Sequence, residues 1–251
     1  MKRLFKFEFT RLKNTKLLIL MPAVFIVIGL AGMLLANVFY EKVDSEIKIL
    51  NVLNAYNQFT FIFFSFIYIL VFAQDYKKGI NVFMEQIGFS EREVLCSKGV
   101  WLYLISLLST NITLIILFFY LGNNDISYLC TMLFSLDLNL IFIILFSMFL
   151  AVLVKNNMIA TLICFAMFIV FNTANLLCFG IFNQADPNSI SYNAIYQAIG
   201  EKVTQDTLNS LPFRLADYTL PLIILPNIVW IILLALTILF LTRKGRKTNG
   251  L

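Results

Sequence analysis

From residue 17 onward the chain alternates between long apolar runs and short polar breaks. The first run is "LLILMPAVFIVIGLAGMLLANVFY". Runs near the ~20 residues that a helix needs to cross a bilayer recur along the chain, without the period-two alternation of a barrel strand. Six spans are predicted, at Leu17–Tyr40, Tyr56–Gln74, Val100–Leu121, Tyr128–Val154, Met158–Phe182 and Leu220–Leu241. In lipid the backbone has to satisfy its own hydrogen bonds, so these spans are expected to be helices. The expected fold class is an all-α integral membrane protein, a single domain over residues 1–251.

Composition strengthens this reading. The 251 residues are 60% hydrophobic and 13% charged, against the ~25% charge of an ordinary soluble domain. The basic start "MKRLFKFEFTRLKNTK" ahead of the first run suits a signal peptide. The run exceeds the ~7–15 residues of a signal core, however, and no small-residue cleavage site follows it, so a retained span is expected.

Charge orients the spans. Lys2, Arg3, Lys6, Arg11, Lys13 and Lys16 precede the first; Lys77, Lys78, Arg92 and Lys98 lie between the second and third; Lys155 follows the fourth; Arg243, Lys244, Arg246 and Lys247 follow the sixth. The alternate breaks carry only Lys42, Lys48, Lys202 and Arg214, outnumbered by acids such as Glu41, Asp44, Asp186 and Glu201. Basic flanks stay on the cytoplasmic side, which makes both termini cytoplasmic. The net charge of +5 is then a basic inner face over an acidic outer one. It suits an anionic lipid leaflet and implies no nucleic-acid partner.

Three of the segments outside the spans carry further signal. In residues 1–16, Leu4, Phe5, Glu8, Phe9 and Leu12 recur at helical spacing among cations. That pattern predicts an amphipathic helix in the membrane interface, the alternative being a basic flank without helical order. Residues 183–219 form the outer loop, the longest polar segment. Residues 75–99, "DYKKGINVFMEQIGFSEREVLCSKG", are a polar island between two apolar runs. Within it Ile80, Phe83, Met84 and Ile87 make one apolar stripe on a short helix. Gly88 is a natural stop, and Ser90 with Glu93 matches a capping box that would open the helix of the third span. The stripe would rest on lipid headgroups or dock in a groove on a cytoplasmic partner.

The stretch "MEQIGFSEREVLCSKGVW" resembles the coupling-helix region of ABC transporter permeases of the type 2 exporter class. It departs from their pattern in having Gly88-Phe89 where a proline is common and Glu91 between Ser90 and Arg92. In outline the similarity covers the whole chain: an N-terminal connecting helix, six spans and a larger outer segment before the last. The "EFTRLKNTK" start and the Phe/Ile/Asn/Lys-rich composition further resemble permeases of Gram-positive lantibiotic-immunity and peptide-toxin exporters. The resemblance implies residence in the cell membrane of a Gram-positive bacterium and an amphipathic or hydrophobic peptide as substrate. It also implies two copies of a cytoplasmic ATPase subunit, a second permease (the same or a homologous chain), and a coupling surface at Ile80, Phe83, Met84, Ile87, Ser90 and Arg92. The sequence holds no G-x-x-x-x-G-K-[ST] loop, so hydrolysis is expected in the partner. No cofactor is expected.

Polar residues inside the spans are the remaining candidates. Asp137 is the carboxylate set deepest in a predicted span, at a cost of at least ~2.5–3.5 kcal/mol on insertion scales. It would line a path for a cationic substrate or a dimer seam, unless the residues before it are a re-entrant or interfacial piece and it caps the true span. Asn172, Thr173 and Asn175 of the fifth span would hydrogen-bond between helices or face substrate. A secondary transporter using Asp137 for ion coupling is the alternative function, and it would call for inverted repeats. The chain has no histidine, and its four cysteines show no paired spacing. Imidazole proton relays, haem ligation and zinc-type sites are therefore not expected.

Overall fold

The computed structural model describes residues 2–39, 45–122, 125–167, 169–170 and 220–248. Eight helices are described in chain order: α1 (Lys2–Asn14), α2 (Leu17–Phe39), α3 (Ser45–Lys77), α4 (Ile80–Gln86), α5 (Glu91–Tyr120), α6 (Ile126–Val154), α7 (Asn157–Met167) and α8 (Leu220–Thr248). No strand occurs among the described residues. Four helices, α2, α3, α5 and α6, are long and apolar enough to cross a membrane. They take up the first four predicted spans. The fifth, Met158–Phe182, is described only as far as residue 170. In the sixth, the described apolar stretch is Asn227–Thr242 of α8. Asn172, Asn175 and the outer loop 183–219 lie outside the described residues.

One helix start differs from expectation. The second span was expected to begin at Tyr56, yet α3 starts at Ser45 and runs to Lys77 without a break. No glycine or proline falls between those residues, so the polar positions before Tyr56 continue the helix instead of ending it. At about 1.5 Å per residue α3 is roughly 50 Å long, longer than the ~40–45 Å of a bilayer with its headgroups. As the capping box predicts, α5 begins at Glu91 and carries the island's second half directly into the third span.

The core lies between helices. α6 packs on α3, α5 and α8, while α2 lies across α5 and α3. Phe25 of α2 stacks on Phe64 of α3 with ring centres 4.5 Å apart. A polar seam joins α3 to α5, where the Tyr56 hydroxyl donates to the Thr110 carbonyl (2.9 Å) and the Tyr68 and Ser106 hydroxyls bond each other. Asn227 of α8 donates to Asn139 of α6 at 3.2 Å, both buried. α2 approaches α5 so closely at Gly29 that a methyl group there would come within 2.5 Å of Thr113 Cγ2.

The basic segments gather at one end of this bundle. Lys155, just after α6, places its ammonium 5.8 Å from the ring of Tyr76 near the end of α3. Arg92 reaches the last turns of α8, donating to Thr242 Oγ1 (2.9 Å) and the Leu239 carbonyl (2.6 Å). α1 docks on α5 and α2 at the same end.

Candidate functional site

The α4 hairpin is built by local rules. Gly79, with φ +66°, turns the chain out of α3, and Lys78 N–H donates to the Gln74 carbonyl at 2.9 Å. After α4, Gly88 takes φ +98°. Gly88 N–H donates to the Glu85 carbonyl and Phe89 N–H to the Met84 carbonyl, both at 3.0 Å. That pair of bonds is a Schellman closure, which requires the left-handed residue that glycine supplies. Ser90 then caps α5 in a reciprocal box: its hydroxyl accepts from Glu93 N–H, and the Glu93 carboxylate accepts from Ser90 N–H at 2.8 Å. The stop and the cap expected at Gly88 and Ser90 are both present.

The apolar stripe divides, however. Met84 is only 3% exposed and packs with Leu4 of α1 and Val94 of α5, with Ile80 and Phe89 against it. Phe83 and Ile87 are each 55% exposed, and Val82 is 59% exposed. Helical spacing made Ile80, Phe83, Met84 and Ile87 one face, but α1 lies against part of it. Met84 and Ile80 anchor the hairpin, and the face left open is Val82, Phe83 and Ile87. Arg92 is likewise committed internally, to α8.

Beneath the hairpin lies a charge cluster that the sequence did not disclose. Lys98 of α5 pairs with Asp75 at the end of α3, and both are shielded from solvent. Arg11 of α1 also reaches Asp75 (2.5 Å) and pairs with Glu8 (3.4 Å), which has no exposed surface. Two acids and two bases balance each other, as buried charges require. Burial draws the Arg11 guanidinium below its ordinary value, and the neighbouring Glu8 carboxylate acts the other way. The cluster welds α1 to both helices that carry α4. Aromatic contacts add to it: Trp101 Nε1 donates to the Phe5 carbonyl at 3.0 Å and the Trp101 ring lies 4.7 Å from Phe9. The available sequence signal was Glu8, an acid on an otherwise basic helix, at the fourfold spacing Leu4, Glu8, Leu12 that turns out to be the buried face.

In the middle of the bundle, α6 is unbroken from Ile126 and its cap is Asp125, whose carboxylate accepts from Ser127 N–H (2.9 Å) and Tyr128 N–H (3.2 Å). Asp137 is therefore not the cap of α6. It stands within a continuous helix and accepts from Asn111 Nδ2 of α5 at 3.1 Å. A crevice of about 350 Å³ opens between α3 and α7, lined by Phe63, Ser65, Phe66, Leu162 and Cys164 among others. Cys96, Cys130 and Cys164 are free thiols. Among the described residues no group of three or more histidine, cysteine, aspartate or glutamate side chains could hold a metal ion. No family model matches this sequence, and no curated protein matches it.

Proposed function

We propose that this chain is the membrane-spanning permease subunit of an ATP-driven exporter of the ABC type, with six spans in the cell membrane of a Gram-positive bacterium. Its N-terminal helix, α4 and the end of α8 face the cytoplasm. The observation that carries this reading is the exposed Val82–Phe83–Ile87 face on a helix fixed at both ends. Large apolar side chains at the charged end of a membrane bundle want a covering surface, and a short helix laid in a groove on a partner is a common solution. The mounting matters as much as the face. Gly79, the Schellman closure, the Ser90 box and the buried ions make the hairpin rigid, so a push on Phe83 moves α3 and α5 and not a slack loop. The common end of the basic segments agrees with a cytoplasmic position for them.

In this reading two copies of a separate ATPase close on ATP and drive a pair of permeases between inward- and outward-facing forms. The second permease is the same chain or a homologous one. The substrate is an amphipathic or hydrophobic peptide, in bacteriocin self-immunity or toxin export. A carrier driven by an ion gradient is the second reading, favoured by the Asn111-bound carboxylate of Asp137. Such a carrier would lose ion coupling in Asp137→Asn and show no dependence on nucleotide.

The test is purification of the full chain from its host in a mild detergent, with mass spectrometry of what accompanies it. A stoichiometric ATPase, lost from Phe83→Asp and Ile87→Asp but retained by Arg3→Gln, supports the proposal. A chain that emerges alone, or keeps its ATPase in both variants, sinks it.

A further inference from the structure

Among the described residues, the Asp137–Asn111 pair is joined by no cation. Asp137 lies roughly 16 Å from the start of α6, and Asn111 roughly 14 Å from the end of α5. Both are therefore deep relative to a ~30 Å hydrocarbon layer. Both side chains are half-buried, and around them Leu104, Leu108 and Ile112 of α5 and Phe134 of α6 are exposed. The pair thus opens on the outside of the α5–α6 face, away from the core. Among the described residues no lysine or arginine pairs with Asp137, and Lys98 is spent on Asp75.

A half-exposed carboxylate at this depth costs at least ~2.5–3.5 kcal/mol without a cover. Asn111 can donate to one oxygen but supplies no charge. A second copy whose twofold axis passed through Asp137 would bring a second carboxylate, a like charge. Charge complementarity therefore calls for a cation, and the exposed leucines and phenylalanine call for an apolar body attached to it. We propose that Asp137, oriented by Asn111, is a recognition point for one positive charge on an amphipathic substrate whose apolar side lies along Leu108 and Phe134. Calling this ligand the substrate rests on the export reading; the binding itself does not.

The test uses the full chain alone in nanodiscs of zwitterionic phosphatidylcholine, so that neither ATPase nor anionic lipid contributes. The probes are a labelled leucine/alanine helical peptide carrying one central lysine and its glutamine counterpart, with binding followed by energy transfer to a label on the chain. The lysine peptide binds saturably and more tightly than the glutamine peptide. Asp137→Asn, an isosteric change, weakens the lysine peptide by on the order of tenfold to a hundredfold and leaves the glutamine peptide unchanged. Asp137→Glu retains the preference. Asn111→Leu, which keeps the charge but frees it, weakens the lysine peptide several-fold, and this variant carries the test if Asp137→Asn does not assemble. Equal binding of both peptides to the wild type, or an unchanged lysine peptide in Asp137→Asn, overturns the proposal. A changed oligomeric state in Asp137→Asn with peptide binding intact also overturns it and assigns the face to a second copy. Because no ATPase is present, failure here leaves the ATPase co-purification result standing, and failure of that experiment leaves this one readable.

Discussion

Lys98 and Asp75 close the base of the α4 hairpin with an ion pair that solvent does not reach. The two residues lie on different helices, α5 and α3, and Asp75 is shared with Arg11 of α1. One carboxylate thus joins three elements, and the hairpin, the N-terminal helix and two long helices form one unit.

Removing one partner of such a pair leaves a buried charge unbalanced. Lys98→Met is expected to destabilise the chain by about 3–5 kcal/mol. Asp75→Leu combined with Lys98→Met should cost clearly less than the sum of the single changes, because Glu8 and Arg11 remain as a neutral pair. Denaturant titration in mixed micelles measures both. Trp101 emission reports whether α1 stays docked, since the Trp101 indole bonds the Phe5 carbonyl. Additive costs would contradict a shared network.

Phe83 and Met84 are neighbours in sequence with opposite fates. Met84→Ala is expected to cost roughly 2 kcal/mol or more, as core truncations do, and to loosen α1 from the hairpin. Phe83→Ala should change stability by less than about 0.5 kcal/mol while weakening the proposed complex with an ATPase. Comparing thermal midpoints with pull-down yield separates the two. A stability loss in Phe83→Ala as large as in Met84→Ala would mean that the open face is part of the fold.

The two caps on either side of Phe89 can be weakened without touching the exposed face. Ser90→Ala should cost about 1 kcal/mol by removing the box. Gly88→Ala has open space for its methyl group but keeps φ +98°, so its cost, about 1–2 kcal/mol, comes from backbone alone. Hydrogen exchange on α4 amides checks both, and exchange should rise locally while α6 is unaffected.

At the crossing of α2 and α5, Gly29→Ala places a methyl group against Thr113 Cγ2 and should destabilise by about 1–3 kcal/mol. Thr113→Ser removes that carbon and keeps the hydroxyl that donates to the Ser109 carbonyl. The double variant should recover most of the loss in the same unfolding assay. No recovery would mean that the helices shift apart by some other route.

Much of this protein is local, and the local part is readable along the chain. Apolar runs from Leu17, Val100 and Tyr128 place three long helices because in lipid a helix is the conformation that leaves no backbone group unpaired. Gly88, Ser90 and Glu93 define a stop and a start within six residues, since their geometry depends on neighbours alone. The start of α3 was less legible, because polar residues before Tyr56 end a hydropathy run without ending a helix.

What only the tertiary structure decided is which side of each helix is covered. Helical spacing grouped Phe83 with Met84, but α1 lies on one and not the other, and no periodicity within α4 encodes where α1 goes. Asp75, Lys98, Arg11 and Glu8 read as ordinary members of a basic flank until three helices bring them together. Asn111 was one polar residue in an apolar run until α6 placed Asp137 beside it. Hydropathy and capping act over a few residues and are written in their order. Burial and charge pairing act between residues far apart in sequence, and only the packing of helices on one another determines those partners.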